Sequence, residues 1–334
     1  MKLSVIVPAH VLDANLAACL QALERAAERS RFEVVLVLDG VAPSRAFLDR
    51  FELPELQVVP LAQNHGPAYA RNAGAQQAYG TLLFFVDADV EVHPDTVEKV
   101  LAHFAQPGAA DALIGSYDDQ PTHPGTVARF RNLLHHYTHQ QAAEEAQTFW
   151  GACGAVRREA FEAVGGFSTV YRHPSIEDIE LGYRLVAAGY RIRLQKDWWV
   201  THRKAWTLAN MVRTDIFRRA RPWTLLLLSR GQALPQDLNT QALARWSTAA
   251  VAVVLVCFLI GFWNPWGWMG LGVGIGYIMW LNRRFYVFLR QHFSAYRMPG
   301  VVALHGLYYL SAGIGWGLGW LAYLTGRRAP SGKE

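Results

Sequence analysis

The sequence Asp87-Ala88-Asp89 carries the clearest chemical pattern in this 334-residue chain. It directly follows the apolar run 81–86, which predicts a buried strand ending at these acids. Two carboxylates in that position offer hard oxygen ligands suited to Mg²⁺ or Mn²⁺. The chain has no GxGxxG after its first apolar run and no GxxxxGK[ST]. A divalent metal held by these acids is therefore the predicted means of neutralising a substrate diphosphate, a solvated acidic pair being the alternative.

The elements that would position these acids form an α/β pattern. Apolar runs predict buried strands, and amphipathic stretches predict helices between them, at 3–7, 13–29, 32–38, 56–59, 67–79, 81–86 and 94–104. This alternation predicts a mostly parallel sheet covered by helices on both faces. Ligands bind such sheets at the carboxyl ends of the strands. Pro8-Ala9-His10, Asp39-Gly40 and Asp87-Ala88-Asp89 all follow predicted strands, so we expect them at one edge.

The charges are divided unevenly between the two parts of the chain. Residues 1–199 contain 17 Lys and Arg against 24 Asp and Glu, whereas residues 200–334 contain 15 against 3. A uniformly basic nucleic-acid binder would not show this division, and an acidic body with a basic, apolar tail is typical of a protein seated on an anionic membrane. Three widely separated cysteines exclude a disulfide framework and a CxxC-type zinc site.

Two long uncharged stretches in the tail predict membrane helices. They run from 246 to 282 and from 298 to 326, and a spanning helix needs about 20 apolar residues. The first is long enough for a hairpin turning at Asn264-Pro265-Trp266-Gly267, and the last stretch either spans or re-enters. Two to three helices are therefore expected within 246–334. The preceding segment, 206–245, contains interleaved arginines and aromatic residues, which predict a basic amphipathic helix lying on anionic lipid.

The arginines between the two uncharged stretches predict the orientation. Arg283, Arg284, Arg290 and Arg297 should be cytoplasmic. The N-terminal body begins directly with a predicted strand and shows no signal-peptide pattern, so we expect it in the cytoplasm as well. The expected location is the inner or plasma membrane, crossed more than once, with the catalytic domain inside.

A set of motifs in residues 1–205 resembles the family 2 glycosyltransferases, which have a GT-A fold. The motifs, in the family's order and spacing, are Ser4-Val5-Ile6-Val7-Pro8-Ala9-His10, Val37-Leu38-Asp39-Gly40, Asn64 to Gly74, Phe85-Val86-Asp87-Ala88-Asp89, Gly151-Ala152-Cys153-Gly154-Ala155, and Ile176-Glu177-Asp178-Ile179-Glu180. The resemblance implies a GT-A catalytic domain over 1–205 and transfer, with inversion, from a nucleotide-diphospho sugar of UDP, GDP or dTDP type. One departure is Leu38, where the family often has a second acid.

The resemblance also implies roles for individual residues. Asp39 would hold the nucleobase, Pro8 and Ala9 would lie at the nucleoside, and Arg71 and Asp87 would lie near the nucleotide. Asp89 would be the main metal ligand, with Asp87 beside it and His202 completing the site, a satisfied or interfacial histidine being the alternative for His202. Asp178 would be the catalytic base. The acceptor side would include Trp150, Gly151, Cys153 and Glu177, with Cys153 serving as a small packing residue and Glu177 supporting Asp178.

A polar and aromatic helix is predicted around residues 129–139. A solvated helix face is slightly favoured there over a wall on the acceptor side.

The resulting prediction is a membrane-bound, non-processive transferase that moves a sugar to a hydroxyl of a lipid or lipid-linked acceptor. The few predicted spans, and the departure of Gln241 to Trp246 from a QxxRW spacing, disfavour a polymer-extruding synthase. A polyprenyl-phosphate glycosyltransferase, whose phosphate acceptor needs no base, is the first alternative. An inactive membrane scaffold is the second, and the presence of Asp39, Asp87, Asp89 and Asp178 together disfavours it.

Overall fold

The structure, a computed structural model, describes residues 2–231 and 242–329, which form two compact units. The first unit comprises residues 2–124 and 134–205, and the second comprises 125–133, 206–231 and 242–329. Residues 125–133, inside the predicted catalytic domain, therefore belong to the second unit. Parts of the predicted interfacial segment and of the C-terminal tail, 232–241 and 330–334, lie outside the described residues.

A single mixed sheet of nine strands, counted over the described residues, forms the centre of the first unit. The strands are β1 Leu3–Ala9, β2 Glu33–Asp39, β3 Leu56–Leu61, β4 Leu82–Val86, β5 Val90–Val92, β6 Ala112–Tyr117, β7 Glu145–Ala146, β8 Cys153–Arg157 and β9 Ile192–His202. Their order is β3-β2-β1-β4-β8-β6-β9-β5, and β7 also pairs with β9. The pairs β3–β2, β2–β1, β1–β4 and β6–β9 are parallel, and β8 is antiparallel to both β4 and β6.

Helices connect these strands and cover the sheet. They are α1 Ala14–Ala27, α2 Arg45–Leu48, α3 Pro67–Gln77, α4 Thr96–Phe104, α5 Thr126–Gln141, α6 Arg158–Ala163 and α7 Glu177–Ala187. Helix α1 begins where the Asp13 carboxylate accepts hydrogen bonds from the Asn15 and Leu16 N–H groups. It buries one apolar face, and every residue of β2 and β4 is buried, which places the core around the parallel strands.

The mixed α/β fold confirms the predicted fold class. The predicted strands and helices up to residue 104 begin within about two residues of the observed ones. The antiparallel strands β5, β7 and β8 had not been predicted. Two of them have three residues or fewer, too short for a period-two pattern to be seen, and β8 enters the sheet between strands that are distant in sequence.

The second unit is helical. Its elements after α5 are α8 Leu208–Arg213, a π-helical segment Thr214–Ala220, α9 Arg221–Arg230, α10 Ala242–Gly261, α11 Trp266–Leu281, α12 Arg283–His292, a 3₁₀ turn Ala295–Arg297 and α13 Met298–Leu324. The predicted turn at 264–267 joins α10 to α11. Among the described residues, two helices are long and apolar enough to cross a membrane, Ala242–Gly261 and Ala295–Leu324. Helix α11, with 16 residues, is shorter than a typical span.

The expected solvated face of the helix around residues 129–139 is wrong at two positions. In α5, Arg131 is buried in an ion pair with Asp215 of the second unit, and His139 is buried with its Nδ1 on the Gly115 carbonyl of the first unit. The favoured solvated face is therefore absent at these two positions. In the segment 206–230, Met211, Ile216 and Trp223 are buried inside the second unit, so these side chains are not available to a membrane surface.

Candidate active site

The two acids of Asp87-Ala88-Asp89 contact different partners. They occupy the turn between β4 and β5 and are partly exposed. Asp87 Oδ1 accepts a hydrogen bond from Arg71 Nη2 at 2.6 Å. Asp89 Oδ2 lies 3.7 Å from His202 Nε2, at the end of β9. Burial raises the pKa of Asp89, but the nearby His202 and the charge of Lys204 lower it overall to about 2. Asp89 is therefore ionised at neutral pH.

Arg71 joins the Asp87 turn to the start of α7. Its guanidinium, carried by α3, is 5% exposed and donates from Nη1 to Glu177 Oε1 at 3.1 Å as well as to Asp87. Burial lowers the pKa of Arg71, but the charges of Asp87 and Glu177 raise it above its ordinary value. A Cβ on Gly151 would lie 3.0 Å from Arg71 Cζ. A glycine at residue 151 is thus what allows the loop to pass over this guanidinium.

Asp178 is held in the first turn of α7. Its Oδ2 accepts from the Gly151 N–H at 3.1 Å, and its Oδ1 accepts from the Ile179 N–H at 2.8 Å. Burial and the adjacent charge of Glu177 raise the pKa of Asp178 to about 6, while Arg71 and the two N–H groups lower it. A carboxylate with this pKa is ionised at neutral pH and is a stronger base than an ordinary aspartate, as a general base requires.

The predicted nucleoside-binding residues lie at the ends of β1 and β2. Pro8 is partly exposed and Ala9 is buried. Asp39 is 4% exposed, and its two carboxylate oxygens accept from the N–H groups of His65, at 2.8 Å, and Gly66, at 2.9 Å. These bonds fix the loop that begins α3. A carboxylate has about four acceptor positions, so Asp39 retains the capacity for the predicted contact with a nucleobase.

Aromatic rings pack around His202. The Tyr117 ring, at the end of β6, is stacked on the His202 imidazole with centroids 4.3 Å apart and planes 11° apart. Trp150 contacts Tyr117 edge-on at 4.8 Å and lies 4.7 Å from the His135 ring. Trp150 is 9% exposed, so most of its surface already packs against this aromatic cluster rather than being open to an acceptor.

Cys153 is buried in β8, where it pairs with Val86 of β4. Burial raises the pKa of its thiol to about 12, which leaves the thiol protonated and unsuited to act as a nucleophile. This agrees with the packing role expected for it.

Asp89 and His202 fit a divalent cation. A carboxylate oxygen and an imidazole nitrogen facing each other are a donor set that Mn²⁺ accepts. Asp87, the other predicted ligand, contacts Arg71 through one carboxylate oxygen. Over residues 2–231 and 242–329, no group of three or more His, Cys, Asp or Glu side chains is arranged to hold a metal.

The structure brings together Arg71, Asp87, Glu177, Asp178 and Gly151 through direct contacts, and Asp89 with His202. Sequence reasoning missed Tyr117, and it did not foresee that Arg71 contacts two carboxylates. Tyr117 is the last residue of the apolar run 112–117, and this position at a strand end is a signal from which it could have been predicted.

Comparisons with known proteins show sequences and a fold similar to those of this chain. The model of "Glycosyl transferase family 2" matches residues 4–165, and that of "N-terminal domain of galactosyltransferase" matches residues 131–203. A validoxylamine A glucosyltransferase of Streptomyces hygroscopicus subsp. limoneus is 28% identical over 234 residues, covering 59% of this chain and 50% of that protein. Glycosyltransferase AglE of Haloferax volcanii is 23% identical over 265 residues, covering 78% and 80%.

The chain spans about half the length of curated relatives such as the Streptomyces glucosyltransferase. Among solved structures, a mannosyltransferase from Pyrobaculum calidifontis in complex with GDP-Man and Mn²⁺ matches with a TM-score of 0.57 and 17% identity. The match covers 94% of this chain and 86% of the mannosyltransferase chain, and it indicates a shared fold.

Proposed function

The chain carries a family 2 glycosyl transferase domain at residues 4–165, and on that premise we propose that it is a membrane-bound, non-processive, inverting transferase. It moves a sugar from a nucleotide-diphospho sugar to a hydroxyl of a lipid or lipid-linked acceptor. Asp178 carries this proposal, because it is a partly exposed carboxylate with a raised pKa, held by the Gly151 N–H beside the Arg71 cluster. Such a base is needed to activate a hydroxyl.

In the proposed reaction, Asp178 takes the proton of the acceptor hydroxyl while the hydroxyl oxygen forms a bond to the anomeric carbon of the sugar. The bond from that carbon to the diphosphate breaks on the opposite face, and the nucleoside diphosphate leaves with the electron pair. Asp89 and His202 would hold a divalent metal, Mn²⁺ or Mg²⁺, and such a metal would stabilise the negative charge of the leaving diphosphate. Arg71 keeps Asp87 and Glu177 in place, and Asp39 with Pro8 and Ala9 orients the nucleoside.

Two observations support the donor and the membrane setting. The mannosyltransferase of the same fold was solved with GDP-Man, which supports a nucleotide-sugar donor without selecting the base among UDP, GDP and dTDP. The helices Ala242–Gly261 and Ala295–Leu324 are long and apolar enough to cross a bilayer, which supports an acceptor that also resides in the membrane.

The test is Asp178→Asn in the full chain, assayed for transfer with a panel of nucleotide sugars in Mn²⁺ or Mg²⁺. Transfer to a hydroxyl acceptor should fall by about 10²–10⁴-fold, because the amide cannot accept the proton. Nucleotide-sugar affinity, measured by calorimetry, should stay near that of the parent. The matched control is Glu159→Gln, which removes an exposed acid from the first turn of α6 and should leave both quantities unchanged.

Two other results would contradict the proposal. Near-parental transfer to a polyprenyl phosphate by Asp178→Asn would replace the hydroxyl acceptor with a phosphate acceptor. Absence of turnover and of nucleotide-sugar binding in the parent chain would favour the inactive scaffold.

A further inference from the structure

The ring of Phe167 lies against the guanidinium of Arg71. Arg71 Cζ is 5.2 Å from the centroid of this ring, which is within the range of a cation–π contact. The Phe167 ring is 1% exposed and the Arg71 side chain is 5% exposed, so solvent screens this contact little. Gly151 also approaches the guanidinium, since a Cβ added there would lie 3.0 Å from Arg71 Cζ. The cation is therefore enclosed by an aromatic ring and by backbone, besides its two carboxylate partners.

One N–H group of Arg71 has no hydrogen-bond acceptor. The two terminal nitrogens bond to Asp87 and Glu177, but the buried Nε–H meets no acceptor in the part of the chain that the structure describes. A buried cation with an unpaired N–H is destabilised unless other contacts compensate for the lost water. The face of the Phe167 ring is such a contact, because an aromatic quadrupole attracts a cation most strongly where water is excluded. Phe167 thus stabilises the orientation in which Arg71 reaches both carboxylates.

The turn before Phe167 holds the ring in this place. Gly165 and Gly166 have φ angles of 81° and 70°, a conformation that favours glycine. Asn72, the neighbour of Arg71 on α3, donates from Nδ2 to the Phe167 carbonyl at 2.7 Å. Its Oδ1 accepts from the Phe167 N–H at 2.9 Å. A Cβ on Gly166 would lie 2.7 Å from this Oδ1, so a side chain there would displace the Asn72 amide from Phe167.

We propose that Phe167 is a positioning residue of the reaction, held in place by Asn72 and acting through Arg71. Its ring keeps the guanidinium in the orientation that fixes the carboxylates of Asp87 and Glu177. The effect on sugar transfer rests on the proposed function. The effect on Arg71 rests on the contacts described above and is measurable without transfer.

The first test places mono-, di- and trifluorinated phenylalanine at position 167 of the full chain. Fluorine withdraws electron density from the ring face and weakens a cation–π contact while nearly preserving the shape of the ring. The transfer rate should fall with each added fluorine, to about a tenth of the parent rate with three. The same series at Phe161 is the matched control. Phe161 is 4% exposed and its ring lies 5.6 Å from that of Phe167, but Arg71 lies over Phe167.

The second test observes Arg71 directly by NMR of the chain labelled with ¹⁵N in its guanidinium groups. The signals of Arg71 are identified by their loss in Arg71→Lys. The terminal N–H signals should be separate in the parent, because the two nitrogens bond to different carboxylates. They should merge in Phe167→Leu, where the guanidinium can rotate, and stay separate in Phe161→Leu, which removes the same number of ring atoms.

A third comparison tests the support that Asn72 gives to the ring. Asn72→Ala removes both hydrogen bonds to Phe167 and should also merge the Arg71 signals. Gln76→Ala, at an exposed position of the same helix, should leave them separate.

The outcomes distinguish this inference from the proposed function. An equal loss of transfer in the two fluorinated series, or separate Arg71 signals in Phe167→Leu, would overturn the positioning role even if the parent transfers sugar to a lipid. If the parent transfers no sugar, the proposed function fails. Merged Arg71 signals in Phe167→Leu but not in Phe161→Leu would still support the action of Phe167 on Arg71.

Discussion

The pKa of Asp178 is set by two opposing groups of electrostatic effects. Burial and Glu177 favour its neutral form, whereas Arg71 and the N–H groups of Gly151 and Ile179 favour the carboxylate. The balance places its pKa at about 6, so the residue can accept a proton from a hydroxyl and release it to water near neutral pH. Because Arg71 also contacts Asp87, the acids of both motifs share one buried cation.

We expect the rate of transfer to rise with pH through about 6 and then to level off. Asp178 is protonated and inactive below its pKa of about 6, so the rate at pH 5 should be about a tenth of the plateau. The raised pKa also means that the folded state holds this proton more tightly than the unfolded state, whose pKa is near 3.8. Folding stability should therefore be lost as pH rises from about 4 to 6.

Initial rates and thermal unfolding, both measured from pH 4.5 to 8, check this prediction. In Asp178→Asn the rise of the transfer rate near pH 6 should be absent. The part of the stability change that depends on this proton should vanish too. If the rate of the Asn variant rises with pH in the same way, the titrating group is a residue other than Asp178.

Tyr117 should act as a positioning residue for His202. Its ring is stacked on the imidazole, so Tyr117→Ala should let the imidazole rotate away from Asp89 and weaken Mn²⁺ binding by about tenfold, a typical effect for groups that orient a ligand. The affinity is measured by electron paramagnetic resonance of Mn²⁺ in the presence of nucleoside diphosphate. Tyr117→Phe keeps the ring and should bind like the parent. Equal Mn²⁺ affinity in the Ala and parent proteins would show that stacking does not hold His202.

The acidic residues of the site could be predicted from the sequence, whereas their partners could not. Asp39 and Asp87 follow apolar runs, so strand ends and their chemistry are visible locally. The stack of Tyr117 on His202 depends on the pairing of β6 with β9, where Tyr117 lies opposite Val200, 83 positions away in the sequence. Contacts of that kind are set by strand register, which a single local pattern does not encode.

At the scale of elements, α7 must approach the loop before β8 closely for Asp178 to reach the Gly151 N–H. Gly182 permits this approach, because an added Cβ would lie 2.2 Å from the Phe149 nitrogen and 2.6 Å from the Thr148 backbone. Backbone atoms cannot be displaced as easily as a flexible side chain. The helix therefore has to shift if this glycine is replaced.

We predict that Gly182→Ala lowers transfer by tenfold or more and lowers the unfolding temperature, although alanine is the better helix former. The matched control is Ala187→Gly, which makes the reverse change at the exposed end of α7 and should leave activity nearly intact. Activity and thermal unfolding of the two variants give the comparison. Full activity in Gly182→Ala would show that the loop adapts without moving Asp178.

The parallel strands were predictable as elements because each is a continuous apolar run between helices. Apolar runs did not predict the strands in the second half of the sheet. There β9 has 11 residues but alternates only in part, and β8 joins the sheet by antiparallel pairs. The sequence pattern thus identifies elements buried on both faces more readily than it identifies their neighbours.

At the scale of the whole molecule, the charge division corresponds to a division of chemistry. The acidic part contains most of the candidate active-site residues, with His202 just beyond it, and the basic part contains α10, α13 and fourteen arginine and lysine residues from 203 to 328. Positive charges next to apolar helices favour the cytoplasmic side and anionic lipid. This asymmetry makes the orientation of the second unit testable without reference to catalysis.

We predict that the full chain stays in carbonate-washed membranes and that its α10–α11 turn lies on the side opposite the 3₁₀ turn before α13.

Trp263→Cys places a thiol at the first turn and Ala295→Cys places one at the second, and both positions are exposed. A membrane-impermeant maleimide should label Trp263→Cys in intact cells and Ala295→Cys only in inverted vesicles. The reason for this expectation is that the arginines at 283, 284, 290 and 297 favour the cytoplasmic side for the second turn. The parent, whose Cys19 and Cys153 are buried, is the control for labelling of native thiols. Labelling of both variants from the same side would mean that the α10–α11 turn and Ala295 lie on one face without a crossing between them, and the short α11 would then belong to a re-entrant or interfacial segment.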